Sequence, residues 1–386
     1  MIYLLSVLQF LLGFCVLANL NVKFSVYQRI TLAMLLGMGL SSIVILLLTF
    51  LGISISQTSI LVSVLTFLLI PIFTFFFRKK KIAGLISRSD LSIHIYELPF
   101  LIAIGYYLMV SIWKCYYFPN IPFDTIVGFD LISKATILEG TLDNSIYNDF
   151  LVNIDSTLIS NQPYYAPYTL LIQIIYMSFG SLFGKAWLSV MVVSFWLFFY
   201  FEMRHYIHPL LAGILCLIAF LSPEMFAYTY LIQTDYSNAI FFVIAVTMFQ
   251  RYFREGNLHY FILSSLFFGL ACWTRTETIF FVPLIGLFMS YKDDFKKGII
   301  YTIAFALLGV FGIVLWNYVF IGGVVPKAIE LGQFNFDFSN YFSRLFKTMD
   351  SMNSFIFNAD YWGYSVTIPL VLIVVNLVIM RKRIEL

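Results

Sequence analysis

The residues best suited to chemistry are a few acids and bases set among apolar neighbours. Asp124 and Asp130 lie in the segment PFDTIVGFD. A carboxylate beside apolar surface resists ionisation, which suits a general base that must collect a proton. Asp130 is also well placed to cap a helix starting after it, so both readings stand for that residue. Asp124 has no comparable capping task, and function is the favoured reading there. Asp235, in YLIQTDYSNAIFF, stands where an apolar stretch begins. It is either a site carboxylate or an acid that favours a helix N-terminus. Arg275 and Glu277 sit in CWTRTET, a junction with almost no loop between two apolar segments. Ionisable groups at membrane depth are functional hypotheses by default. The two either neutralise each other around the turn, or leave the Arg275 fork to bind an anion such as a phosphate. Lys134 and Lys185 are the other cations nearby, and Glu224 is a further acid.

The elements that position these groups are set by composition. Of 386 residues, 61% are hydrophobic and 11% charged, against about 25% charged in an ordinary soluble domain. Mean hydropathy is +0.91. A soluble fold would leave much of that apolar surface in water. A soluble enzyme, a disordered chain and a nucleic-acid binder are therefore excluded, and lipid becomes the main solvent. Cys15, Cys115, Cys216 and Cys272 form no CxxC, so neither a disulfide framework nor a zinc site is expected. No Asp-x-Asp occurs in the outer loops, so no motif supports a divalent metal, and no cofactor is expected. The opening MIYLLSVLQFLLGF has no basic n-region and reads as a retained first helix.

Eleven stretches are apolar enough to span a bilayer: 2–19, 30–51, 58–77, 96–113, 186–201, 209–223, 237–250, 259–274, 278–291, 298–320 and 364–380. Backbone polar groups must be satisfied within each, so an all-α polytopic membrane protein is expected. Arg78-Lys79-Lys80-Lys81 fixes the end of the third span in the cytoplasm. Alternation from there puts 16 basic and 7 acidic residues inside, a net of +9, and 7 basic and 13 acidic outside, a net of −6. The N-terminus is then outside and the C-terminus inside. Residues 164–182 are apolar and nearly span length, but counting them as a span would flip every later loop against this bias. They read as a helix over 166–182 that lies along or dips into the outer leaflet, with Pro167 in its first turn.

Asp124, Asp130, Asp235 and Arg275 all fall on the outer face. His94, His205, His208 and His259 fall on the cytoplasmic side, so a base at an outer site must be Asp or Glu. The chain divides into residues 1–95 (three spans and a basic loop), 96–320 (the core) and 321–386 (a second outer loop and a last span). Within the core, a long outer loop at about 114–165 is extended by the apolar stretch to 185. Its segment DLISKATILEG has Leu131, Ala135 and Leu138 at helical spacing and Gly140 as a stop. In the second outer loop, 321–361, Phe342, Leu345 and Phe346 recur between charges, as in an amphipathic helix. Lys327, Arg344 and Lys347 are weaker candidates for an anion there. A carboxylate base, a cation near lipid and a membrane-lying helix match a substrate with an interfacial phosphate and a long hydrocarbon tail.

The order of these features resembles the GT-C superfamily of membrane glycosyltransferases. More narrowly, it resembles the family of protein O-mannosyltransferases and lipid A aminoarabinose transferases. The likeness covers about 96–320. It runs through the early loop acids Asp124 and Asp130, then the helix Ala135-Thr136-Ile137-Leu138-Glu139-Gly140. Next come Tyr164-Tyr165-Ala166-Pro167-Tyr168, Gly184-Lys185-Ala186, Ser222-Pro223 with Asp235, and Thr274-Arg275-Thr276-Glu277. The family often has Asp-Glu in the first loop and Pro-Pro in the membrane-lying helix; this chain has Asp-Thr and Ala-Pro. No large soluble C-terminal domain is expected after the core.

The resemblance implies a GT-C-like core and an inverting transfer of a sugar from a polyprenyl-phosphate donor. The acceptor would be a hydroxyl of a glycan, lipid or protein. Catalysis would use Asp124, Asp130 and Asp235, with Arg275, Glu277, Lys134, Lys185 and Tyr165 binding substrate. The expected location is the bacterial inner membrane, with the site on the outer face. Two other classes compete: a polysaccharide polymerase or ligase using a lipid-diphosphate donor, and a membrane transporter. The first typically needs several outer Arg and His. The second usually shows inverted repeats, and none is evident here. The charge bias predicts the outcome of reporter fusions. Alkaline phosphatase joined after residue 140 is active, and joined after residue 85 it is inactive; the reverse pattern would invert the topology.

Overall fold

The computed structural model describes residues 1–20, 22–77, 93–117, 124–146, 165–180, 184–292, 295–321, 341–358, 366–368 and 370–371. The basic runs 78–81 and 381–383, Lys327, Tyr164 and most of the span expected at 364–380 lie outside them. Among the described residues the chain is wholly helical. Six helices are long and apolar enough to cross a membrane, which is the architecture of a helical membrane protein.

Helix α1 (Ile2–Asn19) packs against α2 (Val26–Ser41) and α4 (Gln57–Phe77). A side chain at Gly13 would run into the Ala33 carbonyl, and one at Gly37 into the Gln9 carbonyl. Without a hydrophobic force between helices in lipid, such small residues let two backbones approach closely. The expected span 30–51 begins earlier, at Val26, where Ser25 and Gln28 form a capping box, and it is interrupted at Ser42 before α3 (Ile43–Phe50). Next come α5 (Leu98–Tyr117), α6 (Leu131–Glu139), α7 (Tyr168–Met177) and α8 (Ala186–Tyr206). They are followed by α9 (Pro209–Phe220), α10 (Pro223–Tyr228), α11 (Thr234–Glu255) and α12 (Leu258–Thr274). A 3-10 turn (Thr276–Phe281), α13 (Val282–Lys292), α14 (Phe295–Val314) with a π-helical end (Leu315–Ile321) and α15 (Tyr341–Ile356) complete the order. Helix α15 falls where an amphipathic helix was expected, and its Phe346 is exposed. The side chains of Phe342, Arg344 and Leu345 lie outside the described residues.

Several expected spans change form. The stretch 209–223 breaks after Phe220, leaving α9 with 12 residues. The stretch 278–291 opens as a 3-10 turn, because Arg275 is extended and cannot continue α12. Helix α6 ends as expected, with Gly140 at φ +73°. Its buried face is not the expected one: Ile132, Ser133, Ala135 and Thr136 point inward while Leu138 is 86% exposed.

The helix expected over 166–182 is the main correction. It is only ten residues long, and all ten are buried. It is therefore an inserted element, packed against α3, α6, α8 and α12. Its polar side chains, Thr169 and Gln173, are buried with the rest, so protein covers it on every side. Pro167 is its N-cap rather than a first-turn residue.

Charges gather at the two ends of the bundle. At one end Glu202, on α8, is held by both Arg251 Nε (2.9 Å) and Nη2 (2.6 Å), from α11, and by Gln28 Nε2 (2.6 Å), from α2. Arg251 also donates to the Lys23 carbonyl (3.1 Å) and lies over the Phe24 ring. At the same end Glu97 accepts from Arg204 (3.0 Å) and the Tyr200 hydroxyl (2.9 Å). All four histidines are here: His94 and His208 precede helical turns, His205 ends α8 and His259 begins α12. Helix α8, about 30 Å long at 1.5 Å per residue, separates this end from Lys185.

Removing one partner of a buried ion pair leaves the other charge unsatisfied. Arg251→Met is expected to lower stability by about 3–5 kcal/mol. The double replacement with Glu202→Met recovers part of that, as read from thermal unfolding in detergent. A single mutant as stable as wild type would show that the pair does not hold these helices.

Candidate functional site

The end opposite the histidines is built from four short segments. The first is a π-helical turn, Asp124–Asp130, which runs directly into α6. Thr125 donates its hydroxyl to the Ile232 carbonyl (2.7 Å), so this turn is tied to the segment leading into α11. Ser111 of α5 reaches the same segment through the Thr229 hydroxyl (2.8 Å). The backbone of Asp124 opens the turn; its side chain lies outside the described residues.

Asp130 sits at the N-cap of α6, but its side chain makes no capping hydrogen bond. Instead Gln173 Nε2 donates to its Oδ1 at 3.0 Å. Gln173 Oε1 in turn accepts from the Trp187 indole N–H at 2.7 Å. Gln173 and Trp187 are buried and Asp130 is partly buried. The Tyr168 ring, at the start of α7, packs edge-on against Trp187.

Lys185 is the N-cap of α8, and its ammonium is within electrostatic reach of Asp130 and Cys115. Burial pushes Lys185 down from the ordinary lysine value, while the two acidic groups act against that. The first turn of α8 adds unpaired N–H groups and the positive end of the helix dipole. Lys134 is exposed on α6.

The second half of the site surrounds Arg275. Its Nη1 donates to Asp235 Oδ1, and Glu277 Oε2 is 3.9 Å from its Nε. Asp235 is thus the main partner, and the neighbouring Glu277 a minor one. Asn238 Nδ2 fixes the turn by donating to the Ala271 carbonyl (2.8 Å) and the Thr278 hydroxyl (2.7 Å). The Arg275 guanidinium lies over the Tyr165 ring, 5.9 Å from its centre, and the Tyr165 carbonyl accepts from the Trp316 indole (3.0 Å). Burial, and next the Glu224 carboxylate, push the Tyr228 hydroxyl up to about 12; Asp235 adds to this and Arg275 opposes it. One guanidinium therefore faces two carboxylates, Asp235 and Glu277, and Glu224 adds a third acid beside Tyr228, so the corner is acidic on balance. An incoming anion is better received at Lys185 than at Arg275.

The structure thus brings Asp130 and Lys185 together, and separately Tyr165, Asp235, Arg275 and Glu277. The start of α7 and the Thr125–Ile232 bond connect the two groups. Gln173 and Trp187 were missed from the sequence, although a lone amide in TLLIQIIYM must find a partner when buried. Midway along α8, an apolar groove of about 360 Å³ lies between α1, α2 and α8, lined by Phe10, Met34, Val193 and Leu197 among others. Among the described residues no group of three or more His, Cys, Asp or Glu is placed to hold a metal ion. The chain matches no family model, no curated protein and no solved structure.

The charge environment of Lys185 can be checked by its pH dependence. A lowered lysine reacts with an amine-selective reagent at lower pH than an ordinary lysine. Asp130→Asn removes a group that favours the protonated ammonium, so the half-reaction pH of Lys185 falls further. Peptide mass spectrometry reads both shifts; equal half-reaction points in wild type and mutant would overturn the pairing.

Proposed function

We propose that this protein is an inverting glycosyltransferase that moves a sugar from a polyprenyl-phosphate donor to a hydroxyl of a glycan, lipid or protein. The observation that carries the reading is a carboxylate held in place beside a cation at the N-terminus of a membrane-length helix. Transfer to a hydroxyl needs a base for the acceptor proton and a cation for the departing phosphate. The 124–130 turn supplies the base, with the histidines at the far end of the bundle. Lys185 and the first turn of α8 supply positive charge where the donor phosphate would sit. The groove along α8 gives the donor chain an apolar path. Asp235 and Arg275 shape the facing wall, where sugar or acceptor hydroxyls would meet carboxylate acceptors. The charge bias of the loops puts this site on the outer face of a plasma membrane, bacterial in this reading.

The test is turnover by purified protein in lipid nanodiscs. Labelled sugar on a polyprenyl monophosphate should yield free polyprenyl phosphate only when acceptor is present, with the anomeric configuration inverted. Lys185→Met should lower kcat by on the order of 10²-fold, the loss typical of one transition-state charge contact. Release only from a diphosphate carrier would move the protein to the polymerase and ligase class. Coupled uptake without transfer would make it a transporter.

A further inference from the structure

Trp187, Gln173 and Asp130 form a chain with a fixed direction. An indole N–H can only donate, so the Gln173 oxygen must face Trp187. The amide is thereby prevented from flipping, and its NH2 must face Asp130. Asp130 Oδ1 is then committed as an acceptor, which leaves the other carboxyl oxygen to take a proton. A carboxylate at this position could have capped α6, and it does not. It is turned away from its own helix toward a group on α7, itself locked by a group on α8. Trp187 is two residues after Lys185, so one turn of α8 both places the cation and orients the aspartate.

We propose that Asp130, rather than Asp124, is the base, and that Gln173, locked by Trp187, is its positioning residue. The inference rests on the transfer reading above. In the step, the acceptor oxygen bonds to the anomeric carbon as the bond from that carbon to the phosphate oxygen breaks. The electron pair of the broken bond stays on the phosphate, and the hydroxyl proton passes to the Asp130 carboxylate. Burial favours the acid form of such a group. A hydrogen bond donated to a carboxylate favours its charged form, so the contact from Gln173 aims the base before the acceptor arrives. Lys185 lies on the same side and meets the departing phosphate.

The experiment pairs pH-rate profiles with a measurement that needs no turnover. Gln173→Leu removes the donor, and Trp187→Phe keeps a ring but unlocks the amide, which is the gentler change should the first fail to fold. The acid limb of kcat/KM should move up by about one pH unit in Gln173→Leu and by less in Trp187→Phe. KM for the donor should stay within about twofold, as expected when a transition-state contact alone is altered. Asp130→Asn should lose on the order of 10²–10⁴-fold in rate, with Asp124→Asn the milder of the two. The infrared carboxyl band absent from Asp130→Asn should titrate at higher pH in Gln173→Leu than in wild type. An unmoved acid limb and an unmoved band overturn this inference while leaving transfer intact. Absence of turnover with every lipid-monophosphate sugar, with the band shifted as expected, overturns the transfer reading and with it the assignment of Asp130 as base.

Discussion

Most of the amides and carboxylates that enter the apolar interior of this protein are satisfied by another part of the chain, and the arrangement of helices follows from that. A buried amide or carboxylate without a partner costs several kcal/mol in a medium without water. Glu202 illustrates the consequence. One carboxylate on α8 engages Gln28 of α2 and Arg251 of α11, and Arg251 reaches on to the loop before α2. Three helices far apart in sequence are brought into register by one acid. Their apolar surfaces alone would slide past one another in lipid, since hydrocarbon chains are as good a neighbour as leucine.

The same rule acts at the other end with a different result. Gln173 lies within ten consecutive buried residues, yet its amide finds both a donor and an acceptor. The bonds it makes fix the relative places of α6, α7 and α8, and in doing so fix Asp130 relative to Lys185. Packing and site geometry are therefore one problem. A helix whose one amide side chain is committed in two directions cannot rotate without breaking both contacts. Arg275 is constrained similarly, by Asp235 ahead of it and by Asn238 holding the turn on which it sits.

The sequence made the helical class and six membrane-length helices legible, because long apolar runs can be satisfied only as helices. It also made legible the break at Arg275, marked by charges between two apolar segments, and the stop at Gly140, marked by a residue that takes the left-handed conformation. It did not reveal that 168–177 is buried rather than leaflet-bound. Hydropathy reports affinity for an apolar medium and does not distinguish lipid from protein. The exposure of Leu138 was hidden for the same reason. Of the proposed site, Asp130, Lys185, Asp235, Arg275 and Tyr165 were visible as charged or aromatic residues at span ends. Gln173 and Trp187 were not, because each looks like an ordinary member of an apolar run until its partner from another helix is known. The assignment of Arg275 to an anion failed to anticipate Asp235, which lies 40 residues away in sequence.

The Glu202–Arg251 contact also has a dimension in time. The two residues are 49 positions apart, which a ribosome adding 5–20 residues per second covers in roughly 2–10 s. During that interval α8 has been made and α11 has not. Gln28 has already been synthesised and Tyr206 follows within the same helix, so both can receive the Glu202 carboxylate before Arg251 is made. The early helices thus act as a temporary host for a charge whose permanent counter-ion arrives later, and the order of synthesis is matched to the order in which the carboxylate's bonds are made.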